Sequence, residues 1–226
     1  MLSIAVLNSK GGSGKTTIAT NLASYYASQD YATVLLDYDS QGSSSRWVES
    51  RPKNLAPIHS VPAYQHPGNA TRTWMTRLPQ GTQRLIIDTP AAVDKLQTED
   101  FIRRADVVVI PVLPSLIDMY AVGDFIRSLY KLKRIRTQQT HVAVIANRVR
   151  EHTLISKSLD EFIGQLTLSF SGKLRDTQNY VKAAERGVGI CDLQRAQVKQ
   201  DLEQWSTLLA WLDDFEKSPL LAAQSA

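Results

Sequence analysis

The fold is decided by the stretch Leu2-Ser-Ile-Ala-Val-Leu-Asn-Ser-Lys10-Gly-Gly-Ser-Gly-Lys15-Thr-Thr17. An apolar run ends there in a short loop of glycine, serine and lysine, and a helical pattern begins as the loop closes. This order predicts a buried strand, a tight turn and a helix N-terminus. Such a turn lines a concave surface with backbone N–H groups, and the helix dipole adds partial positive charge. The stretch therefore predicts a phosphate-binding loop.

Each residue type in this loop has a physical reason to be there. Glycines let the backbone approach phosphate without a Cβ in the way. Lys15 is expected to reach the β- and γ-phosphates of a nucleotide, and the Thr16 hydroxyl to ligate Mg²⁺. The residues expected to hold the nucleotide are Lys10, Gly11, Gly12, Ser13, Gly14, Lys15, Thr16 and Thr17.

The loop departs from the general pattern G-x-x-x-x-G-K-[ST] in one informative way. Ser9 stands where the first glycine would be, and a second lysine, Lys10, precedes the glycine pair. Lys-Gly-Gly-x-Gly-Lys-Thr resembles the deviant Walker A motif of the ParA/MinD family of ATPases. The resemblance implies that Lys10 reaches across a dimer interface to the nucleotide of the partner subunit and, with Lys15, takes part in catalysis.

A second apolar run, residues 32–36, ends in Asp37-Tyr-Asp39-Ser-Gln-Gly-Ser43. Carboxylates at the end of a buried parallel strand lie at the edge where such sheets bind ligands. Turn formation and helix capping explain the same residues equally well. The stretch resembles the family motif Asp-x-Asp-Pro-Gln-Gly except for Ser40. The resemblance implies that Asp39 orients the hydrolytic water and that Asp37 belongs to the surroundings of Mg²⁺.

Two further strand ends carry candidate residues. Arg84-Leu-Ile-Ile-Asp88-Thr-Pro follows the Walker B pattern, in which a strand delivers a carboxylate towards the Mg²⁺ of the phosphate-binding loop. The run 141–146 ends in Asn147, where the family has an adenine-binding asparagine; a simple turn residue is the alternative. The guanine motif Asn-Lys-x-Asp is absent, which favours ATP over GTP.

Strand-like and helical runs alternate throughout, which predicts an α/β fold of the P-loop NTPase kind, with a mostly parallel twisted sheet and helices on both faces. We expect one domain over residues 1–217 and a short, frayed tail over 218–226.

Several individual elements are also predicted. A strand begins at Asp106 and is ended by two prolines, and a helix capped by Ser115 has Leu116 in its buried stripe. A strand covers 166–170, and a final helix covers about 196–216 with Asp201 on its polar face. Residues 50–83 predict a strand near 58–61 and a helix near 70–78.

Two groups of basic residues raise the question of DNA. The stretch 180–187 resembles small plasmid-partition ParA proteins, and this resemblance implies non-specific DNA contact by some of Lys173, Arg175, Lys182, Arg186 and Lys199. Elsewhere Lys131, Lys133, Arg134 and Arg136 follow an apolar helical stripe. Compensation of the helix dipole is the favoured interpretation of this second group, and a DNA patch is the alternative.

Composition excludes several classes of protein. The chain has 226 residues, 43% of them hydrophobic, and a net charge of +4, which is compatible with a nucleic-acid partner. A single cysteine, Cys191, excludes a disulfide framework within one chain and argues against the iron–sulfur relatives of this fold. No apolar run approaches the ~20 residues that span a membrane. These features indicate a cytoplasmic protein.

The resemblance implies an ATPase that dimerises with ATP, binds Mg²⁺ and hydrolyses ATP slowly. We expect it to bind non-specific DNA, to be associated with the nucleoid, and to position a plasmid, a chromosome locus or a protein complex. A ParB-like or other adaptor protein would stimulate hydrolysis. The alternative is a MinD-like, membrane-cycling spatial regulator. The acidic residues of the last helix disfavour it, because membrane-surface helices favour lysine and arginine, and we expect no membrane partner.

Overall fold

The computed structural model describes residues 1–65 and 78–217. Its centre is a seven-stranded sheet in the order β3-β2-β4-β1-β5-β6-β7, with every pairing parallel. The strands are β1 Leu2–Val6, β2 Thr33–Asp37, β3 His59–Pro62, β4 Arg84–Asp88, β5 Val107–Val112, β6 His141–Val149 and β7 Phe170–Arg175. The predicted α/β fold with a parallel sheet is confirmed.

Eight helices alternate with these strands in the described residues. They are α1 Lys15–Ser28, α2 Ser43–Glu49, α3 Lys95–Arg104, α4 Leu116–Leu129, α5 Lys133–Arg136, α6 Leu154–Gly164, α7 Gln178–Glu185 and α8 Arg195–Lys217. The predicted helix near 70–78 and the predicted tail over 218–226 fall outside the described residues, apart from Leu78 at the helix's end. No helix in the described ranges has the length and apolar character needed to cross a membrane.

Both faces of the sheet are buried. Successive side chains of a strand point to opposite faces, so each strand contributes to two core layers. Within β1, Ile4 and Val6 join a core layer formed with α1 and α8, whereas Ala5 joins the layer formed with α3 and α4. Both core layers are continuous across the sheet. The expectation of helices on both faces is thereby confirmed, and buried parallel strands explain the near-continuous apolar runs in the sequence.

Pro111 lies inside β5 and does not end it, contrary to expectation. The Val109 carbonyl accepts a hydrogen bond from Leu7 N, so residues 109 and 111 both direct their backbone polar groups towards β1. β1 ends at Val6, so the N–H that proline lacks has no strand partner to lose. The Pro111 carbonyl instead accepts from Asn8 Nδ2 at 2.6 Å.

Three other expectations are corrected. β7 begins at Phe170, not Leu166, because Leu166 and Leu168 pack into the core as loop residues after α6 and their alternation mimics a strand. Leu116 is 55% exposed and not part of the buried stripe of α4. Asp201 is completely buried, because it pairs with Arg175 on the neighbouring strand.

Candidate nucleotide site

The three sequence motifs meet at the carboxyl edge of the sheet. In the strand register Asp37 of β2 pairs with Asp88 of β4, and Asp88 pairs with Val6 of β1. The loop that follows β1 leads directly into α1, so it lies beside both carboxylates. Open parallel sheets bind their ligands at this edge, where the direction of strand order reverses. The fold therefore brings together the residues that the sequence predicted as neighbours.

The loop between β1 and α1 requires glycine at two positions. Gly12 and Gly14 have φ values of 75° and 94°, in the left-handed region that disfavours other residues. A Cβ on Gly14 would also lie 2.1 Å from Asn147 Nδ2. Gly14 is the N-cap of α1, and the free backbone N–H groups of the first turn face the loop. The result is the anion-binding cradle that the sequence predicts.

Lys15 lies inside this cradle as the first residue of α1. Its side chain is buried, and Nζ donates to the Lys10 carbonyl at 3.0 Å. Burial lowers the pKa of Lys15, while the charges of Asp88 and Asp39 oppose the shift. The Lys15 ammonium thus lies beside the phosphate-binding loop with a positive charge that could pair with a phosphate.

Lys10 lies outside the cradle. Its side chain is 32% exposed, and Nζ lies 3.3 Å from Asp118 Oδ1 in the first turn of α4. The other Asp118 oxygen accepts from Ser115 Oγ at 2.5 Å, and Ser115 also caps the helix. The backbone N–H of Lys10 donates to Asn8 Oδ1 at 2.9 Å. The two lysines of the motif therefore have different environments, one buried and one at the surface.

Asp88 is a fully buried carboxylate with unsatisfied oxygens. Among the described residues neither oxygen accepts a hydrogen bond of ordinary geometry. Burial raises the pKa of Asp88 to about 7; the nearby Thr16 hydroxyl opposes this shift, and the charge of Asp37 adds to it. An orphaned buried carboxylate costs free energy unless a partner binds it.

Mg²⁺ fits the residues at this edge. The ion typically takes one or two protein oxygens and fills its remaining positions with water and phosphate. Asp88 and the Thr16 hydroxyl are the oxygens available beside the cradle. Residues 1–65 and 78–217 contain no cluster of three or more histidine, cysteine, aspartate or glutamate side chains suited to a metal, so an all-protein cage is not formed there.

Asp37 and Asp39 have different hydrogen-bond partners. The Asp37 carboxylate accepts from Ser45 N at 2.9 Å and from Asp39 N at 3.1 Å, so it ties the loop to the start of α2. Asp39 is half-buried and accepts from Gln41 N at 2.9 Å. Both aspartates therefore make the contacts to the residue two positions on that turn formation predicts. Asp39 keeps oxygen lone pairs for other partners.

Asn147 is directed at the phosphate-binding loop by an irregularity in β6. The register between β6 and β7 shifts between Ala146 and Val149, and Arg148 has a φ of 54°. A β-bulge of this kind turns a side chain out of its regular direction. Asn147 Nδ2 donates to the Ser13 carbonyl at 2.8 Å, and Oδ1 accepts from Arg148 N at 3.0 Å. One amide hydrogen and one oxygen lone pair are left for a ligand.

A cavity of about 710 Å³ opens beside Asn147. It is large enough for a nucleoside and lies next to Thr17 of α1. Most of the residues that line this cavity were not predicted as site residues from the sequence, because β7 was expected about five residues too early. The rule that polar residues at a strand end form the site would have found these residues with β7 correctly placed. Among the lining residues are Thr17, Asn147, Arg148, Arg175, Asp176 and Tyr180.

The residues proposed to contact DNA lie on β7, on or just after α7, and on α8. These three elements meet at Asp201, because Arg175 and Asn179 both donate to it. Lys173 pairs with Asp160, and Lys199 lies 3.9 Å from Glu203. Arg175 donates to the buried Asp201 and also lines the cavity. Lys182 and Arg186 are exposed on and just after α7. The charges of three of these five side chains are thus balanced within the chain.

Cys191 is half-buried, and burial raises the pKa of its thiol, so it is a poor nucleophile at neutral pH. Its sulfur lies 3.4 Å from Ser24 Oγ.

The chain is similar to known proteins in sequence and in fold. The chain is 29% identical over 198 residues to the maintenance of carboxysome distribution protein A of Gloeobacter kilaueensis, covering 83% of this chain and 82% of that protein. The fold is similar to that of a plasmid partition protein of Borrelia burgdorferi bound to AMPPNP, with a TM-score of 0.73, 17% identity and coverage of 92% and 98%. It is also similar to the ATP complex of a Cyanothece McdA variant, with a TM-score of 0.68, 17% identity and coverage of 96% and 95%.

Residues 4–190 match the family described as the CobQ/CobB/MinD/ParA nucleotide binding domain. The match includes the phosphate-binding loop, both carboxylate motifs and Asn147, and it ends just before α8. On this match over most of its length, the chain belongs to the CobQ/CobB/MinD/ParA nucleotide-binding family.

Proposed function

We propose that the chain is an ATPase that dimerises with ATP, hydrolyses it slowly and positions a cargo on DNA. The observation that carries the proposal is the placement of Lys10. It lies beside a complete phosphate cradle but at the surface, where it cannot share the role of the buried Lys15. A second lysine so placed is suited to a phosphate presented by another subunit.

Nucleotide binding would use the groups at the sheet edge as follows. The amides at the start of α1 and the Lys15 ammonium bind the phosphates, and the cavity next to Asn147 takes the base and ribose. Asp88 and Thr16 would hold Mg²⁺, which would neutralise phosphate charge. Asp37 stays with the backbone of α2 and fixes the position of the loop that carries Asp39.

Hydrolysis would depend on positioning and charge, as phosphoryl transfer generally does. The free lone pairs of Asp39 orient the attacking water. Lys15 stabilises negative charge on the phosphate from within its own subunit. Lys10 adds a second positive charge from the partner subunit once it leaves Asp118. Turnover would then require the dimer.

Exposed apolar side chains support a dimer interface at this edge. Seven large hydrophobic residues are exposed in the described part of the chain, and one of them is Met1. The other six lie in the first half of a helix that directly follows a strand. Because the strands are parallel, these helix starts surround the nucleotide site. Apolar side chains that share one edge of the sheet are suited to a contact between subunits. The residues are Leu96, Leu116, Ile117, Tyr120, Leu154 and Val181.

The positioning role draws on the relatives, which are named for carboxysome distribution and plasmid partition. A dimer doubles any weak DNA-binding surface of the monomer, so ATP-dependent dimerisation would make DNA binding depend on ATP. A ParB-like or other adaptor would stimulate hydrolysis, release the dimer and so move the cargo. The protein would then reside in the cytoplasm on the nucleoid.

The test is binding to a random-sequence DNA duplex with ATP, with ADP and without nucleotide, each at two salt concentrations. We expect binding that needs ATP and weakens steeply with salt, because phosphate contacts release counterions. Absence of DNA binding in all three states would overturn the DNA part of the proposal. The ATPase part is tested separately, by release of phosphate with and without Mg²⁺.

A further inference from the structure

We propose that Lys131, Lys133 and Arg136 form a surface that binds the DNA phosphate backbone. We name these three residues the α5 basic surface. They lie at the edge of the sheet where the strands begin, opposite the nucleotide site. The inference rests on the proposed DNA-binding function and identifies the residues that would carry it.

The sequence around α5 is unusually one-sided in charge. Residues 127–136 contain five lysines and arginines and no aspartate or glutamate, in a chain whose net charge is only +4. The rest of the chain is therefore net acidic. A like-charged stretch of this kind is costly by self-repulsion unless a polyanion relieves it.

The local structure turns the three cations outward. Ile135 is buried and Leu132 half-buried, so the turn of α5 packs these two side chains against the core. Lys133 and Arg136 are three residues apart and share the opposite helix face. Lys131 lies in the link just before this turn, and all three side chains are exposed.

Compensation of the helix dipole does not account for these charges. α4 ends at Leu129, and the influence of a helix dipole falls off within the last turn. Arg127 already occupies that last turn, and it is paired with Asp124. Lys133 and Arg136 belong to a separate four-residue helix, α5, that begins beyond the α4 terminus. For Lys133 and Arg136 we therefore replace the favoured sequence interpretation, whereas Lys131 directly follows the C-cap of α4.

Acidic neighbours do not neutralise the surface either. Asp106 accepts from Ser3 N at 2.8 Å, and its charge faces Arg134, His141 and the N-terminal amine. Arg134 is directed inward to Thr140. Among the side chains of residues 1–65 and 78–214, no ion pair of Lys131, Lys133 or Arg136 is formed. The rest of the sequence, residues 66–77 and 215–226, contains one acidic residue, Glu216.

The chemistry of the surface suits DNA better than a protein. Protein interfaces have an apolar core, and the exposed apolar side chains of the described helices lie at the opposite edge. The residues next to the α5 basic surface are the uncharged polar Thr137, Gln138 and Gln139. Lysine, arginine, threonine and glutamine are the side chains that contact phosphate and sugar.

The test compares two triple variants that remove the same charge. One is Lys131→Gln/Lys133→Gln/Arg136→Gln, and the matched control is Lys182→Gln/Arg186→Gln/Lys199→Gln. Affinity for a random-sequence duplex is measured with ATP between 50 and 200 mM salt, on the order of the range where such binding changes most. Thermal melting and ATP hydrolysis without DNA confirm that each variant is folded.

We expect the α5 variant to bind DNA at least about tenfold more weakly, and its salt slope to fall by about 2 to 3, because each lost phosphate contact removes about 0.9. The control variant should change much less. Equal losses in both variants, or a loss confined to the control, would overturn the α5 assignment while leaving the DNA-binding proposal intact. Failure of the unaltered protein to bind DNA would overturn both.

Discussion

The Lys10 ammonium lies 3.3 Å from the Asp118 carboxylate, on the same edge of the sheet as the nucleotide site. This pair keeps the second lysine of the loop on its own subunit. A lysine that must reach the partner's nucleotide has to leave Asp118 first. The pair therefore lowers the affinity of the proposed dimer, and removing the pair by substitution shows by how much.

Asp118→Asn is expected to strengthen ATP-dependent dimerisation about two- to fivefold. The reason is that a partly exposed ion pair contributes up to about 1 kcal/mol, which the variant no longer has to give up. Light scattering during an ATP titration measures the effect.

Lys10→Ala should bind ATP as a monomer and fail to dimerise, whereas Lys15→Ala should lose ATP binding altogether. Normal dimers in Lys10→Ala would refute the role across subunits.

Substitution of Asp39 and of Asp37 should have opposite consequences. Asp39→Ala should lower ATP turnover on the order of 10²-fold and accumulate the ATP-bound dimer, because the water loses its orienting carboxylate. Its melting temperature should hardly change. Asp37→Ala should lower the melting temperature, because the N–H of Ser45 loses its acceptor. Phosphate release and thermal melting of both variants separate the two roles, and unchanged turnover in Asp39→Ala would remove it from the mechanism.

The raised pKa of Asp88 predicts a pH-dependent stability in the absence of Mg²⁺. The folded-state pKa of about 7 exceeds the ordinary value of 3.8, so the folded protein holds this proton more tightly than the unfolded chain does. Stability is thus full below about pH 4 and is lost as pH rises towards 7. The loss is on the order of 2–4 kcal/mol.

Asp88→Asn should remove that part of the pH dependence and stabilise the metal-free protein at pH 8. Urea melts in EDTA at pH 5 and pH 8 measure it. The same variant should bind ATP without the contribution of Mg²⁺. A free energy of unfolding in the variant that still falls between these pH values as in the original protein would contradict the assignment to Asp88.

An exposed side chain at the edge provides a test of the dimer interface. Ile117 is 73% exposed at the start of α4. Ile117→Glu should prevent the ATP-dependent dimer, because it places a charge in a contact that is apolar. Ser128→Glu introduces the same charge at the far end of the same helix and should leave dimerisation unchanged. Sedimentation of both proteins with ATP would distinguish them, and equal behaviour would place the interface elsewhere.

A buried ion pair makes a prediction about stability alone. Arg51 and Asp192 are joined at 2.8 Å, and each side chain is only 4% exposed. Asp192→Asn should destabilise the fold by about 3–5 kcal/mol, because it leaves the charge of the buried Arg51 guanidinium without a counter-charge. Denaturant unfolding measures the change. The double variant Arg51→Met/Asp192→Asn removes the buried charge and keeps an oxygen at position 192 that can accept from Gly189 N. It should recover much of the lost stability, and a double variant as unstable as the single one would argue against the ionic explanation.

The parts of the fold that the sequence predicted are those with strong local signals. The apolar run before the phosphate-binding loop and the run ending in Asp88 each appear as strands at the expected positions. The failures come from tertiary context. Asp201 is charged and mid-helix, so its pattern predicts exposure, and only the approach of Arg175 from β7 makes its burial possible.

The candidate site shows the same division. Spacing in the sequence identified the loop, Asp37, Asp39 and Asp88 as neighbours, since strand ends meet at one edge of a parallel sheet. It could not show that Lys10 pairs with Asp118, a residue more than a hundred positions away. The wall of the cavity was missed with β7, because a leucine-rich loop and an edge strand have similar short-range patterns.

The parallel sheet has a consequence for the assembled particle. All strands begin at one edge and end at the other, so a six-residue strand such as β5 separates the α5 basic surface from the nucleotide site by about 20 Å. Two subunits joined at their nucleotide edges would therefore carry their basic surfaces at opposite poles. Such a dimer would gain avidity only from DNA long enough to reach both poles, so it would join distant segments of DNA. ATP would then control the compaction of DNA as well as the residence of the protein on it.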